Sequence, residues 1–222
     1  MAFHRHRHPP EGSHHGHPSV ARTIDFSAMA ETYDHGISGK AIRHIHKILV
    51  RTISGTLHPG VRLLDVGCGT GRLLAELEER FGVTGLGVDP SAEMVRVART
   101  ACPNMDIRVG TCAELPWESQ SVDVVIASLA YHHFDDRTGF VTEATRVLRP
   151  SGWIYVLEPC LPAPIRAVVN AFFRLRGHSE HISSTPELIR ELTGPHFETR
   201  LVRKRSHVQV IASCALWPTL GR

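Results

Sequence analysis

"LLDVGCGTGRLL", Leu63 to Leu74, sets three glycines within five residues directly behind an apolar run. Val61, Leu63, Leu64 and Val66 read as a short buried strand. Gly67, Gly69 and Gly71 make the turn, and Leu73, Leu74, Leu77 and Phe81 then recur on one face of a helix that Gly82 stops. Strand, glycine turn and helix together open a parallel α/β sheet, and a turn without side chains lets a ligand approach the backbone. The dinucleotide pattern Gly-x-Gly-x-x-Gly is not met, because Arg72 stands at its third glycine and the run is Gly-x-Gly-x-Gly. A tight turn with no ligand can carry the same letters, so the neighbours decide. Asp65 precedes the loop, and Asp89 closes the next strand about twenty residues on, where a carboxylate can accept both hydroxyls of an adenosine ribose.

Outward from this loop the chain alternates. Leu86 and Val88 form a second strand. Pro90 and Ser91 start a helix striped by Met94, Ala98 and Ala101. Met105, Ile107 and Val109 alternate as a third strand. "VDVVIAS", Val122 to Ser128, is apolar enough for a central strand buried on both faces. Phe140, Ala144, Val147 and Leu148 stripe the next helix, "RPSGW" reads as a turn, and Ile154, Val156 and Leu157 make a fifth strand. This alternation predicts an open, doubly wound sheet with helices on both faces and its ligands at the carboxyl ends of the strands. Before it, residues 20–59 read as a helical cap, with Ile42, Ile45, Leu49 and Ile53 on one face. After it come a helix, a His/Ser-rich loop, a second helix and two strands.

Composition narrows the class. With 222 residues, 42% hydrophobic and 21% charged, the chain has the balance of a globular domain. A net charge of +3 is too small to argue for nucleic acid, and no apolar run is long enough for a membrane span. Five scattered cysteines, with no Cys-x-x-Cys, fit reduced thiols, and the polar N-terminus does not fit a secretory signal; a cytoplasmic location is the expectation. Residues 1–19 hold six histidines among Pro, Gly, Ser and Arg and read as a disordered tail.

Four ordered stretches carry a resemblance. "LLDVGCGTG", "GLGVDPSAEMVRVAR", "GTCAELPWESQSVDVVIASLAYHHF" and "EATRVLRPSGWIYVLEP" resemble, in order and spacing, the motifs of the class I S-adenosylmethionine-dependent methyltransferases, most of all the small-molecule branch similar to the ubiquinone/menaquinone-biosynthesis enzymes. The likeness runs from about Tyr33 to Glu158. It implies a Rossmann-like seven-stranded sheet, in which "FETRLVRKR" and "HVQVIASC" pair and the last strand runs antiparallel beside the fifth. It also implies a methyltransferase domain over residues 60–222 with a lid at 159–185. S-adenosyl-L-methionine is the implied cofactor. Gly67, Cys68 and Gly69 would receive its methionine part, with Asp65 orienting it and Asp89 on the ribose. Pro90 and Met94 follow that carboxylate, Thr111, Cys112 and Ala113 would border the adenine, Ser128 would lie beside the sulfonium, and Tyr33 would close over the cofactor. Thr111 stands where the family often has a carboxylate, which leaves no acidic acceptor for the adenine amino group.

Methyl transfer needs collinear alignment first and a base only where the acceptor carries a proton that must leave. His132 and His133, behind the fourth strand, are the candidate bases; the same pair could instead order the loop, and loop polarity accounts for His35. Cys68 reads chiefly as a small packing residue. The stretch after the fourth strand lacks the Pro-Pro-aromatic signature of nucleic-acid amino-methylating enzymes. Phe172 and Phe173 make the lid segment apolar, so the predicted acceptor is a small aromatic or lipid-like molecule. Arg166, Arg174 and Arg176 read as a solvated helix face. Two rival readings use the same chain. In one, "HRHRH" binds a transition metal and the methyltransferase fold is a scaffold. In the other, the protein senses S-adenosylmethionine without turning it over.

Overall fold

A computed structural model describes residues 30–33, 36–178, 180–193, 197–205 and 207–216. The His-rich stretch 1–19 and His35 lie outside the described residues. The elements run α1 (Gly36–Ile53), β1 (Arg62–Val66), α2 (Arg72–Phe81), β2 (Thr84–Asp89), α3 (Ala92–Ala101), β3 (Asp106–Val109), β4 (Val122–Ser128), α4 (Arg137–Val147), β5 (Leu148–Pro159), α5 (Ala163–Leu175), α6 (Thr185–Leu192), β6 (Phe197–Arg205) and β7 (Val208–Ala215). The seven strands form one sheet in the order β3-β2-β1-β4-β5-β7-β6. β1 to β5 are mutually parallel. β7 runs antiparallel between β5 and β6, as the resemblance implies.

Side-chain alternation along β1 builds both faces. Leu63 points into a core shared with Leu49, Val50 and Ile53 of α1, Leu74 and Leu77 of α2, and Val95 and Ala98 of α3. Leu64 and Val66 point into the opposite core, with Phe140, Ala144 and Val147 of α4 and Leu188 and Leu192 of α6. Each face has its own helices, which is the doubly wound arrangement. Local signals hold as the sequence predicts: Ser91 Oγ accepts the Met94 N–H at 3.2 Å and starts α3, and the Gly82 N–H donates to Glu78 O at 2.8 Å to close α2.

Two expectations are corrected. "RPSGW" is not a turn between elements: β5 runs unbroken from Leu148. Its register against β4 jumps from Val122↔Leu148 to Val124↔Trp153, so the extra residues bulge out of β5, with Ser151 at φ +64°. Val109 does not alternate inward; it is 51% exposed, because β3 is the edge strand and only Ile107 of it enters the core.

Candidate functional site

The switch point of the sheet lies between β1 and β4, where connections leave for opposite directions, and ligands in such sheets sit outside the carboxyl ends of the strands there. A cavity of about 620 Å³ occupies that place. Its floor is the glycine loop. Gly67 and Cys68 donate their amides to Val88 O at 2.8 and 3.1 Å, which ties the loop to the end of β2. Gly67 has φ +78°, and a Cβ there would stand 2.5 Å from the Cβ of Ala130. At Gly69 a Cβ would meet nothing within 4 Å, so the missing side chain leaves open space on the cavity wall.

Asp89 joins the loop to α3. Its Oδ2 accepts the Gly69 N–H at 2.8 Å and its Oδ1 accepts the Ser91 N–H at 2.9 Å. Burial raises its pKa and these two amides oppose the rise. Asp65 is buried deeper, and its pKa is pushed up to about 8, first by burial and then by the Asp89 charge. Asp65 Oδ1 and Ser128 Oγ are buried polar atoms with no hydrogen-bond partner, and both residues line the cavity. A buried acceptor without a donor is costly, so these two atoms mark where a polar ligand completes the site. Burial, then Asp65 and Asp89, push the Cys68 thiol well above its ordinary range, so it is an inert packing group.

Beyond β4 the chain turns sharply. Leu129 takes φ +56°, a conformation that costs a side-chain-bearing residue about 1–2 kcal/mol. Its N–H donates to Leu157 O at 2.8 Å, and a 3-10 turn, Tyr131–His133, follows. The two imidazole rings lie 3.9 Å apart. The Nδ1–H of His132 faces both oxygens of the buried Glu158 carboxylate, at 3.1 and 2.9 Å. His133 Nδ1 lies 3.6 Å from Glu180 Oε1, and His178 Nδ1 lies 3.4 Å from Glu180 Oε2. Burial and the adjacent His132 push the His133 pKa down to about 4, with Glu180 acting against them.

The predicted residues converge. Tyr33, Asp65, Gly67, Cys68, Gly69 and Asp89 line the one cavity. So do Pro90, Met94, Thr111, Cys112, Ala113, Ser128 and His133. His132 is not on the wall; it stands behind His133 against Glu158. No described residue of 159–185, the segment expected as a lid, lines the cavity. Sequence reasoning missed the two buried glutamates and the contribution of Ile42 and His46 from α1. Glu158 could have been found, since it stands at the carboxyl end of β5. Glu180 lies in a loop with no periodicity to point at it. Asp135 and Asp136 also reach the wall, Asp136 beside Cys112, whose thiol donates to Asp136 O at 3.7 Å. Among the described residues no group of three or more His, Cys, Asp or Glu could hold a metal ion, and no helix is long and apolar enough to cross a membrane.

Residues 64–156 match the family model of a methyltransferase domain. Over 148 residues the chain is 32% identical to a demethylmenaquinone methyltransferase of Chlorobaculum parvum, covering 64% of this chain and 58% of that protein. The chain thus spans little more than half the length of that relative. A solved S-adenosylmethionine-dependent methyltransferase from Aquifex aeolicus superposes with a TM-score of 0.68 at 16% identity, over 87% of this chain and 100% of that one. Geranyl diphosphate C-methyltransferase from Streptomyces coelicolor A3(2), solved with Mg2+, geranyl-S-thiolodiphosphate and S-adenosyl-L-homocysteine, gives 0.66 at 16% identity, over 91% and 88%. The solved structures share the fold, and residues 64–156, which hold the glycine loop, both aspartates and the turn after β4, are similar to the methyltransferase domain family.

Proposed function

We propose that the chain transfers the methyl group of S-adenosylmethionine to a small aromatic or lipid-like acceptor. The observation that carries the cofactor assignment is the pair of unpartnered buried atoms, Asp65 Oδ1 and Ser128 Oγ, on a cavity that Asp89 also lines. Asp65 faces a cationic amine and Ser128 a polar group near the reacting centre. Asp89, already holding the loop amides, keeps a free lone pair on each oxygen for the ribose hydroxyls. Thr111, Cys112 and Ala113 border the adenine, and Asp135 or Asp136 supplies the carboxylate that Thr111 lacks.

When bound, S-adenosylmethionine supplies an electrophilic methyl carbon on a positively charged sulfur, which keeps the C–S electron pair as the acceptor forms the new bond. The protein's part is alignment: the strained turn at Leu129 and the Tyr131–His133 turn place a wall over the carboxyl end of β4. His133 is the imidazole on that wall. Its lowered pKa keeps it neutral near pH 7, able to take a proton from a hydroxyl-bearing acceptor. Glu180, behind its Nδ1, stabilises the charge that then forms, and His132, fixed by Glu158, braces the ring from the other side. The chemistry named for the relative, menaquinone-type methylation, supports an apolar ring acceptor.

The test is an incubation of the intact chain with methyl-labelled S-adenosylmethionine and a cell extract, followed by partition between organic and aqueous phases. The expected label is in an organic-phase product identified by mass spectrometry. Label confined to water-soluble products refutes the acceptor class, and cofactor binding with no label anywhere refutes catalysis.

A further inference from the structure

Helix α5 is built the wrong way round for a globular protein. It is the one described α-helix with no buried residue. What anchors it to the body is polar: Asn170 Nδ2 donates to Ile182 O at 3.1 Å and Asn170 Oδ1 accepts the Ile182 N–H at 2.9 Å. Its apolar side chains face outward. Ile165 is 52% exposed, Val168 70%, Phe172 51% and Leu175 86%, and their spacing of three and four residues makes one continuous stripe. A contiguous outward stripe of this kind on a soluble surface marks an interaction site.

Its charge says what kind. No Asp or Glu occurs from Ala163 to His178, while Arg166, Arg174 and Arg176 all do. Arg176 lies over the Phe172 ring at 4.9 Å, so a cation sits beside the apolar stripe itself. Arg166 shares a recess with Lys204, at the end of β6 where Arg203 and Arg205 are also exposed. A second copy of the chain would set these cations against themselves. The chain's own residues 1–29 carry three arginines and six histidines against Glu11 and Asp25, and fit no better. An exposed apolar stripe with Arg176 beside it, on a helix with no acidic residue, complements an anionic bilayer surface: the side chains enter the acyl boundary and the guanidinium group meets the phosphates.

We propose that α5 docks the protein peripherally on anionic phospholipid bilayers. The docking is independent of the acceptor reading and is tested without any methyl transfer. The intact chain is floated with vesicles of phosphatidylcholine alone and of phosphatidylcholine mixed with phosphatidylglycerol. The expected result is recovery with the anionic vesicles only, lost when salt rises from about 0.1 M to about 1 M and the screening length falls from about 10 Å to about 3 Å. Arg176→Gln should weaken binding about fivefold, the size expected for one surface cation. Phe172→Asp with Leu175→Asp should reduce it to background while melting as the parent does, because neither side chain is in the core. Three results overturn the proposal: no flotation with anionic vesicles, flotation unchanged in the Asp variant, or a dimer in solution that the Asp variant dissolves.

Discussion

Gly67→Ala probes the floor of the cavity with a single methyl group. Two costs follow from its geometry. With φ at +78°, an L-residue there pays about 1–2 kcal/mol for the left-handed conformation. The new Cβ would also sit 2.5 Å from the Cβ of Ala130, so the loop and the turn after β4 must separate by roughly an ångström, an overpacking strain of typically about 1–3 kcal/mol. The sum is a loss of about 2–5 kcal/mol, read by urea unfolding at constant slope. The two costs separate: Ala130→Gly removes the clash but not the backbone term. The double variant should therefore recover part of the loss and retain a deficit of about 1–2 kcal/mol. Cofactor affinity, measured by calorimetry, should fall with the displacement and partly return with it. A loss under about 1 kcal/mol in Gly67→Ala, or additivity of the two substitutions, refutes the close approach of loop and turn.

Asp65→Asn should flatten a pH dependence. The neutral carboxyl of the folded protein gives stability that is complete below the ordinary value of 3.8 and is lost as pH rises towards about 8; the variant's urea midpoint should be higher than the parent's at pH 7 and its cofactor affinity lower. His133→Ala should lower turnover about 100- to 10,000-fold with cofactor affinity nearly unchanged, and equal turnover overturns its role as base. Because the His133 pKa is lowered to about 4, the stability held by the neutral ring is present above about 6.5 and lost as pH falls through 4, and the variant should lose less between those values in acid unfolding curves. Ser151→Gly, at φ +64° on the exposed bulge, should raise stability by about 0.5–1 kcal/mol, since relief of the left-handed strain outweighs the entropy of the new glycine. A lower melting temperature in that variant contradicts the bulge geometry.

The parallel sheet was legible because burial forces letters: "LLDV" and "VDVVIAS" have to be apolar to cross the middle of a two-faced sheet, and Ser91 and Gly82 mark helix ends by hydrogen bonds confined to their own turns. The cavity wall was legible for the same reason, since Asp65, Gly67, Gly69 and Asp89 sit at strand ends fixed by that pattern. The carboxylates behind the histidines were not. Glu158 meets His132 across 26 positions of chain and Glu180 meets His133 through a loop, and neither spacing has a period. The bulge at Ser151 looked like a turn because "PSG" is turn composition; only the pairing of Trp153 with Val124 shows that the strand continues. The outward face of α5 was not legible either, since an apolar stripe normally turns inward and here Asn170 holds the opposite side to the body.

The cavity lined by Asp65 and Asp89 is proposed to hold S-adenosylmethionine. Titration calorimetry of the intact chain with S-adenosylhomocysteine tests it most directly, with NAD as the competing ligand and Asp89→Ala as the altered site. The expected result is one-to-one binding of the adenosyl ligand, no competition from NAD, and a loss of about 1.5–3 kcal/mol of binding free energy in Asp89→Ala, the worth of hydrogen bonds to a charged acceptor. Unchanged affinity in a folded Asp89→Ala protein, or tighter binding of NAD, would contradict it.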